Sequence, residues 1–212
     1  MSAPTPAPVP PPSLSMGGYA PEPGALVGVP FWPRFGARLL DLLVHYVISF
    51  GAGVIIGIFL AISASLNHTP LQPLIARTTS LSALTFIAAI LGAMLYHVIS
   101  EGGHGSSLGK LALGLVVLQE DGTPCRMGAA LVRSLAYYVD ALFFGIIAYV
   151  AMQKSPLQQR YGDQWAHTVV VRRSQVAPER LRSSGRFLGV LFLAAAADAA
   201  LLLLTYAIKL VS

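Results

Sequence analysis

The sequence is poor in charged residues and in cysteine, and each shortage excludes a class of protein. Only 11% of its 212 residues are charged, whereas soluble domains carry about 25%. Together with a mean hydropathy of +0.66, this low fraction predicts an integral membrane protein. Cys125 is the only cysteine, which excludes an intramolecular disulfide framework and a metal site built from several cysteines.

Recognisable catalytic and nucleotide-binding motifs are also missing. No spacing is typical of a Ser/His/Asp triad, a catalytic carboxylate pair or a metal site. Asp163 and His167 are four residues apart, but two ligands are too few to hold a metal. The glycine-rich stretch before Lys110 is not a phosphate-binding loop, because Leu111 stands where that motif needs Ser or Thr. We therefore expect no enzyme activity, no cofactor and no metal.

The positive net charge does not indicate a nucleic acid partner. No DNA- or RNA-binding motif accompanies the net charge of +5. In a membrane protein, an excess of Lys and Arg is expected to set the orientation and to contact lipid headgroups. We expect the bilayer itself as a partner, together with a second copy of the chain or another membrane protein.

The first 29 residues differ in composition from the rest of the chain. They contain eight prolines, and Glu22 is their only charged side chain. Such a composition cannot bury a core and favours extended conformers. Residues 1–29 are therefore expected to form a disordered tail. The alternative is that they dock onto a proline-binding partner.

Three apolar segments are long enough to cross a bilayer, which takes about 20 residues. They span residues 36–64, 80–99 and 187–210. Residues 100–109, which directly follow the second of these segments, are glycine-rich and are expected to be flexible. Within the first segment, Gly53 and Gly57 are spaced for close packing of helices.

A fourth apolar segment, residues 128–152, is interrupted by Arg133 and Asp140. It is either one spanning helix, or an interfacial helix over 128–140 followed by a short helix over 141–152 that enters the membrane and returns. Residues 115–119 and 168–171 read as strands that can pair. The expected fold is all-α and membrane-embedded, with three to four apolar helices and a small cytoplasmic strand pair.

The distribution of Lys and Arg favours the returning segment. With a cytoplasmic N-terminus and a segment that returns, twelve of the 14 Lys and Arg residues lie inside and two outside. A spanning segment would instead place six inside and eight outside, against the positive-inside rule.

Charged residues occur inside the apolar segments, where they are costly and commonly functional. At the start of the first segment and within it, four polar side chains share one helical stripe, since they are spaced by three, four or seven residues: Arg34, Arg38, Asp41 and His45. We expect Arg34 or Arg38 to contact Asp41, with Asp163 close to the same cluster. His45, Asp140 and Asp198 are candidates for an ion pathway.

Three ordered motifs resemble the RDD family of bacterial membrane proteins, which is named for one Arg and two Asp. The first combines Arg34 with ARLLD at 37–41. The second is SLGKLALGLVV at 107–117, with Asp121-Gly122 and Arg133 after it. The third is QRYGD at 159–163, followed by AHTVVV at 166–171.

This resemblance implies a membrane domain over residues 31–173, with Arg34, Asp41 and Asp163 as the name residues. Asp140 is the less favoured choice for the second Asp. The motif residues also include the following: Gly109, Lys110, Gly114, Arg133 and Arg160. The proline-rich tail and the C-terminal helix over 187–210 depart from the common family pattern.

The resemblance also implies a cellular location and a range of functions. It places the chain in the bacterial inner membrane, with several spans. Some family members are associated with sodium/proton exchange, and others with assembly or quality-control complexes. We therefore expect ion transport, or an accessory role in transport. The alternative is a non-catalytic membrane assembly protein.

Overall fold

The computed structural model describes residues 26–79, 82–183 and 185–211. Its elements, in chain order, are α1 (Phe31–Leu66), α2 (Leu71–Thr79), α3 (Ala83–His104), α4 (Leu108–Ala112), β1 (Leu115–Gln119), α5 (Met127–Asp140), α6 (Leu142–Lys154), α7 (Tyr161–Trp165), β2 (Thr168–Arg172) and α8 (Gly185–Val211). Short 3₁₀ turns cover 173–175 and 178–180. The predicted class, helices with a small strand pair, is confirmed.

Among the described residues, three stretches are long and apolar enough to cross a membrane: Phe31–Leu66, Ala83–His104 and Pro178–Val211. They overlap the three spans expected from the sequence, although residues 80 and 81 of the second lie outside the described residues. Pro33 lies in the first turn of α1, where a missing backbone N–H leaves no hydrogen bond unmade. The loop expected between the first two spans contains the short helix α2.

The fourth apolar segment is broken rather than continuous. Helices α5 and α6 meet at a bend of 114°, next to Phe143 and Gly145, which both have positive φ angles. The sheet joins the chain before helix α5 to the chain after helix α6. Its strands β1 and β2 are antiparallel, and Gln119 lies opposite Thr168. The chain between these two strands therefore leaves and returns to the same end of the molecule, as the second alternative predicted.

Both faces of the two-stranded sheet are covered, which explains why its strands are almost continuously apolar. One face packs against α1 and α5 through residues such as Ala37 and Ala130. The other is covered by Val176 and by Leu26 and Leu157. Val29 donates a backbone hydrogen bond to Val170 (2.8 Å). The last residues of the predicted disordered tail are thus packed, while residues 1–25 lie outside the described residues.

The expectation that the glycine-rich residues 100–109 are flexible is wrong, because the stretch begins inside a helix. Helix α3 continues to His104, and it includes Gly102 and Gly103. A Cβ on Gly102 would lie 2.2 Å from Met127 Sδ, and one on Gly103 2.7 Å from a Val190 methyl. These glycines allow α3 to approach α5 and α8 closely. In α1, by contrast, neither Gly53 nor Gly57 has a neighbour within 4 Å of its built Cβ, so that pair makes no close contact within the described part of this chain.

Candidate functional site

A buried charge cluster lies where α1, α3, α5 and α7 approach the sheet. At its centre is Asp163, which is completely buried. Arg34 Nη1 donates to one Asp163 oxygen and Arg133 Nη1 donates to the other. Arg34 also donates to the backbone oxygens of Val29 (2.9 Å) and Gln158 (2.8 Å). The start of α1 is therefore fixed to α5 and α7.

Arg133 extends this cluster to α3 and α4. Its Nε donates to Glu101 Oε2 (3.1 Å), and Lys110 Nζ donates to Glu101 Oε1 (2.5 Å). One arginine thus bridges two carboxylates, Asp163 and Glu101. The sequence predicted a bridging arginine but placed that role at Arg34 or Arg38. We call these five side chains the charge network: Arg34, Glu101, Lys110, Arg133 and Asp163.

The charge network changes the pKa values of those of its members that lie outside the candidate membrane spans. Burial alone would raise the pKa of Asp163, but Arg133 and Arg34 outweigh this effect and hold the pKa well below its usual range. Burial lowers the pKa of Lys110 to about 8, against the opposing effect of Glu101. Asp163 is therefore a fixed negative charge across the physiological pH range.

The predicted ion pair between Asp41 and Arg34 or Arg38 is wrong. Asp41 is buried, and its carboxylate accepts hydrogen bonds from neutral groups: Tyr96 Oη (3.2 Å), Ser107 Oγ (2.6 Å) and Gly109 N (2.8 Å). Neither arginine forms an ion pair with it among the described residues. Two of these three partners, Ser107 and Gly109, belong to the second motif, and none comes from the stripe on α1.

The glycines of the second motif have a steric explanation. A Cβ on Gly109 would lie 2.1 Å from the backbone oxygen of Ala37, so a side chain would push α4 away from α1 and from Asp41. Gly114 has φ +64°, in the left-handed region that favours glycine. It ends the connection between α4 and β1.

Arg38, Asp140 and Arg160 lie beside the charge network. The guanidinium of Arg38 is 3.9 Å from the ring centre of Tyr137. Arg160 Nε is 3.4 Å from Asp140 Oδ2 and from Asp163 Oδ1. Asp140 also accepts a hydrogen bond from Gly162 N (3.2 Å). The predicted pathway residue Asp140 is therefore held beside α7, and the structure does not bring it to Asp198.

His45 and Asp198 form a second, separate site between α1 and α8. His45 Nδ1 and Asp198 Oδ2 are 2.7 Å apart, and the two side chains are 17% and 4% exposed. Gly92 on α3 makes room for this carboxylate, because a Cβ there would lie 2.0 Å from Asp198 Oδ1. A histidine and an acid from different helices are thus paired within the candidate spans.

Two ring side chains of α3 lie between this pair and the charge network. The His45 ring centre is 4.9 Å from that of Tyr96 and 6.0 Å from that of His97. Tyr96 contacts Asp41, and His97 Nδ1 is 3.7 Å from Glu101 Oε1. A row of ionisable groups therefore leads from Asp198 towards Glu101.

Sequence reasoning missed Glu101 and gave His97 only a structural role. A signal was present, because Glu101 follows His97 by four residues and both therefore lie on one face of α3. Because residues 100–109 were expected to be flexible, Glu101 was not considered as part of the same helix as His97. As for metals, no group of three or more His, Cys, Asp or Glu side chains in the described ranges is arranged to hold an ion.

The fold and these two sites define a multi-pass membrane domain organised by a buried network of Arg, Asp, Glu and Lys. The sequence model of the RDD family matches residues 29–167, which contain every member of the charge network. The chain belongs to the RDD family. No curated protein and no solved structure gives a significant match to it.

Proposed function

We propose that this RDD protein exchanges a monovalent cation such as sodium for protons, alone or as an accessory subunit of a transporter. The observation that carries the proposal is the pairing of the partly buried His45 with the buried Asp198 between two candidate spans. Ionisable residues within a membrane span are expensive to bury, and they commonly mark ion pathways and proton relays.

The chemistry of this pair suits exchange between a proton and a hard cation. Histidine gains or loses a proton near neutral pH, and carboxylate oxygens are the ligands that hard cations prefer. A proton shared by His45 and Asp198 blocks the acid oxygens, and its release frees them for a cation. Among the described residues, the buried His45 Nε2 has no hydrogen-bond partner, so this nitrogen is free to take part in a proton relay.

The row through Tyr96 and His97 supplies a route for protons between this pair and the end of the molecule that carries the sheet. The charge network at that end supplies a fixed field, because Arg133 and Asp163 are paired and buried. We propose that this end is cytoplasmic and that the membrane is the bacterial inner membrane. It carries twelve of the 14 Lys and Arg residues, in agreement with the positive-inside rule.

The second candidate function is non-catalytic assembly of membrane proteins. It is favoured by the saturation of the charge network, in which both oxygens of Asp163 and of Glu101 have fixed cationic partners. Such a network holds a scaffold rigid and offers no open position for an ion. Under either function we propose that the chain is not an enzyme, and that it acts with a second copy or with a membrane partner.

Flux measurements on purified protein in vesicles separate the two functions. A sodium gradient should drive proton movement, read with an internal pH dye, and potassium or choline should serve as comparison cations. His45→Gln should abolish this flux, while Asp121→Asn, in an exposed turn, should retain it. Absence of sodium-driven flux in the wild type, together with a co-purifying membrane protein, would favour assembly instead.

A further inference from the structure

We propose that the cavity beside Arg38 binds the acidic headgroup of an anionic phospholipid. The cavity has a volume of about 470 Å³ and lies between α1, α5 and α6, with Lys110 and Val170 at one end. His45 of the proposed ion site also lines this cavity, but the inference goes beyond the proposed function and does not depend on it, because it is argued from Arg38 and the charge of the lining.

The charge of the cavity lining favours an anion. Five cationic side chains line it, against a single carboxylate, Asp140: Arg34, Arg38, Lys110, Arg133 and Arg160. Four of these cations have carboxylate partners within 4.0 Å. Arg38 does not: in the described part of the chain its guanidinium rests on the Tyr137 ring and forms no ion pair. Glu101 and Asp41 attract Arg38 only from beyond ion-pair distance, so an anionic ligand would give this buried cation a direct partner.

The shape of the lining favours a lipid over a small anion. Three apolar side chains on the α1 wall also reach the outer surface of that helix: Phe35, Leu39 and Leu42, which are 42%, 50% and 49% exposed. The cationic end and the lipid-facing surface of α1 are therefore joined by one apolar wall. Basic pockets between membrane helices at the cytoplasmic side commonly bind acidic headgroups, and the wall can take the start of an acyl chain.

Binding can be measured by native mass spectrometry of the full chain, purified in detergent and stripped of lipid. Phosphatidylglycerol and phosphatidylcholine with identical acyl chains are titrated separately, and inorganic phosphate is added in a third arm. We expect phosphatidylglycerol to bind about tenfold more tightly than phosphatidylcholine, because both have a phosphate for Arg38 but only phosphatidylcholine adds an ammonium group, which the five cationic side chains of the lining repel. Millimolar inorganic phosphate should not displace it.

Two variants locate the site. Arg38→Gln breaks no ion pair and should weaken phosphatidylglycerol binding about tenfold, while Arg126→Gln, an exposed arginine outside the cavity, should leave it unchanged. Equal binding of the two lipids by the wild type would overturn the proposal whether or not the variants fold. Displacement by inorganic phosphate would show a small-anion site instead. Equal losses in the two variants would show a general surface charge effect and would also contradict it.

Discussion

Asp163 and Asp41 are both buried acids of the family motifs, but they are stabilised in different ways. Asp163 has three arginines, Arg34, Arg133 and the more distant Arg160, whereas Asp41 has a hydroxyl, a phenol and a backbone amide. Removing one partner of a buried ion pair strands a charge, at a cost of about 3–5 kcal/mol. Removing one of several neutral donors costs about 1–3 kcal/mol. The two aspartates should therefore respond differently to the same substitution of Arg34.

A double-mutant cycle between Arg34→Ala and Asp163→Ala tests the contact at the centre of the network. We expect a coupling energy of about 2–3 kcal/mol, because these side chains are in direct contact and buried. The measurement is the free energy of unfolding in detergent for the wild type, both single variants and the double variant. The matched control pairs Arg34→Ala with Asp41→Ala, where coupling should stay below about 0.5 kcal/mol. Coupling in the control as large as in the test pair would contradict the assignment of partners.

The pH dependence of stability follows from the lowered pKa of Asp163. A carboxylate whose pKa is depressed on folding stabilises the folded state above its unfolded pKa, which is about 3.9. This contribution is lost as the pH falls further. Between pH 7 and pH 3 the wild type should lose about 1 kcal/mol from this group alone. Thermal unfolding in detergent should show this loss.

Two substitutions check the origin of this acid sensitivity. Asp163→Asn removes the titrating group, so the variant should be less stable at pH 7 and should approach the wild type as the pH falls. Glu179→Gln changes an exposed acid outside the network and should follow the wild-type curve. A constant difference between Asp163→Asn and the wild type from pH 7 to 3 would show that Asp163 does not carry the effect.

At the scale of elements, the sequence predicted the strand pair and the broken fourth segment, because both follow from local patterns. Residues 115–119 and 168–171 have strand character, and Arg133 and Asp140 interrupt an apolar run. The length of α3 could not be read in the same way. Glycines at 102 and 103 indicate flexibility when considered locally, but they are required by the close approach of Met127 and Val190, which is a tertiary contact.

The packing of α3 against α8 is tested by Gly92→Ala. The new methyl group would lie 2.0 Å from Asp198 Oδ1, so the acid must move away from His45. We expect a loss of about 1–3 kcal/mol in unfolding free energy from overpacking, and a loss of sodium-driven proton flux. Gly53→Ala on α1 is the control, because nothing lies within 4 Å of its built Cβ; it should lose no stability and should gain up to about 1 kcal/mol from helix propensity. Equal behaviour of the two variants would contradict the described packing.

At the scale of the whole molecule, the sheet decides the topology. It joins the chain before α5 to the chain after α7, so we expect both parts of the chain to lie on one side of the membrane. Cys125 is a poor probe of this arrangement, because it is completely buried and burial raises the pKa of its thiol to about 11. Exposed positions serve better: Thr123 and Gln175 lie near the sheet, and Asn67 lies at the far end of α1.

Cysteines introduced at these three positions should separate into two groups. A membrane-impermeant maleimide should label Asn67→Cys in intact cells, because the proposed orientation places this site on the outer side. Thr123→Cys and Gln175→Cys should be labelled only after the membrane is opened. The wild type, with buried Cys125, is the control and should remain unlabelled in both conditions. Labelling of Thr123→Cys and Gln175→Cys from opposite sides would contradict a returning α5–α6 pair.

The sequence predicted the candidate sites only in part, because the packing of distant helices decides which side chains meet. The stripe on α1 correctly identified its polar residues, but the partners of Asp41 and His45 come from residues more than 50 positions away, such as Ser107 and Tyr96 for Asp41 and Asp198 for His45. Helical spacing describes which residues share a face. It does not describe which helix covers that face, and this is settled by the packing of α3 and α8.

The central claim is that the charge network supports the fold while the His45–Asp198 pair carries the ion. Its most direct test is sodium-driven proton flux in vesicles that contain equal amounts of folded wild type or Asp198→Asn. We predict that Asp198→Asn melts within a few degrees of the wild type but moves no protons in response to sodium. Wild-type flux in Asp198→Asn would contradict the assignment of this pair as the ion site.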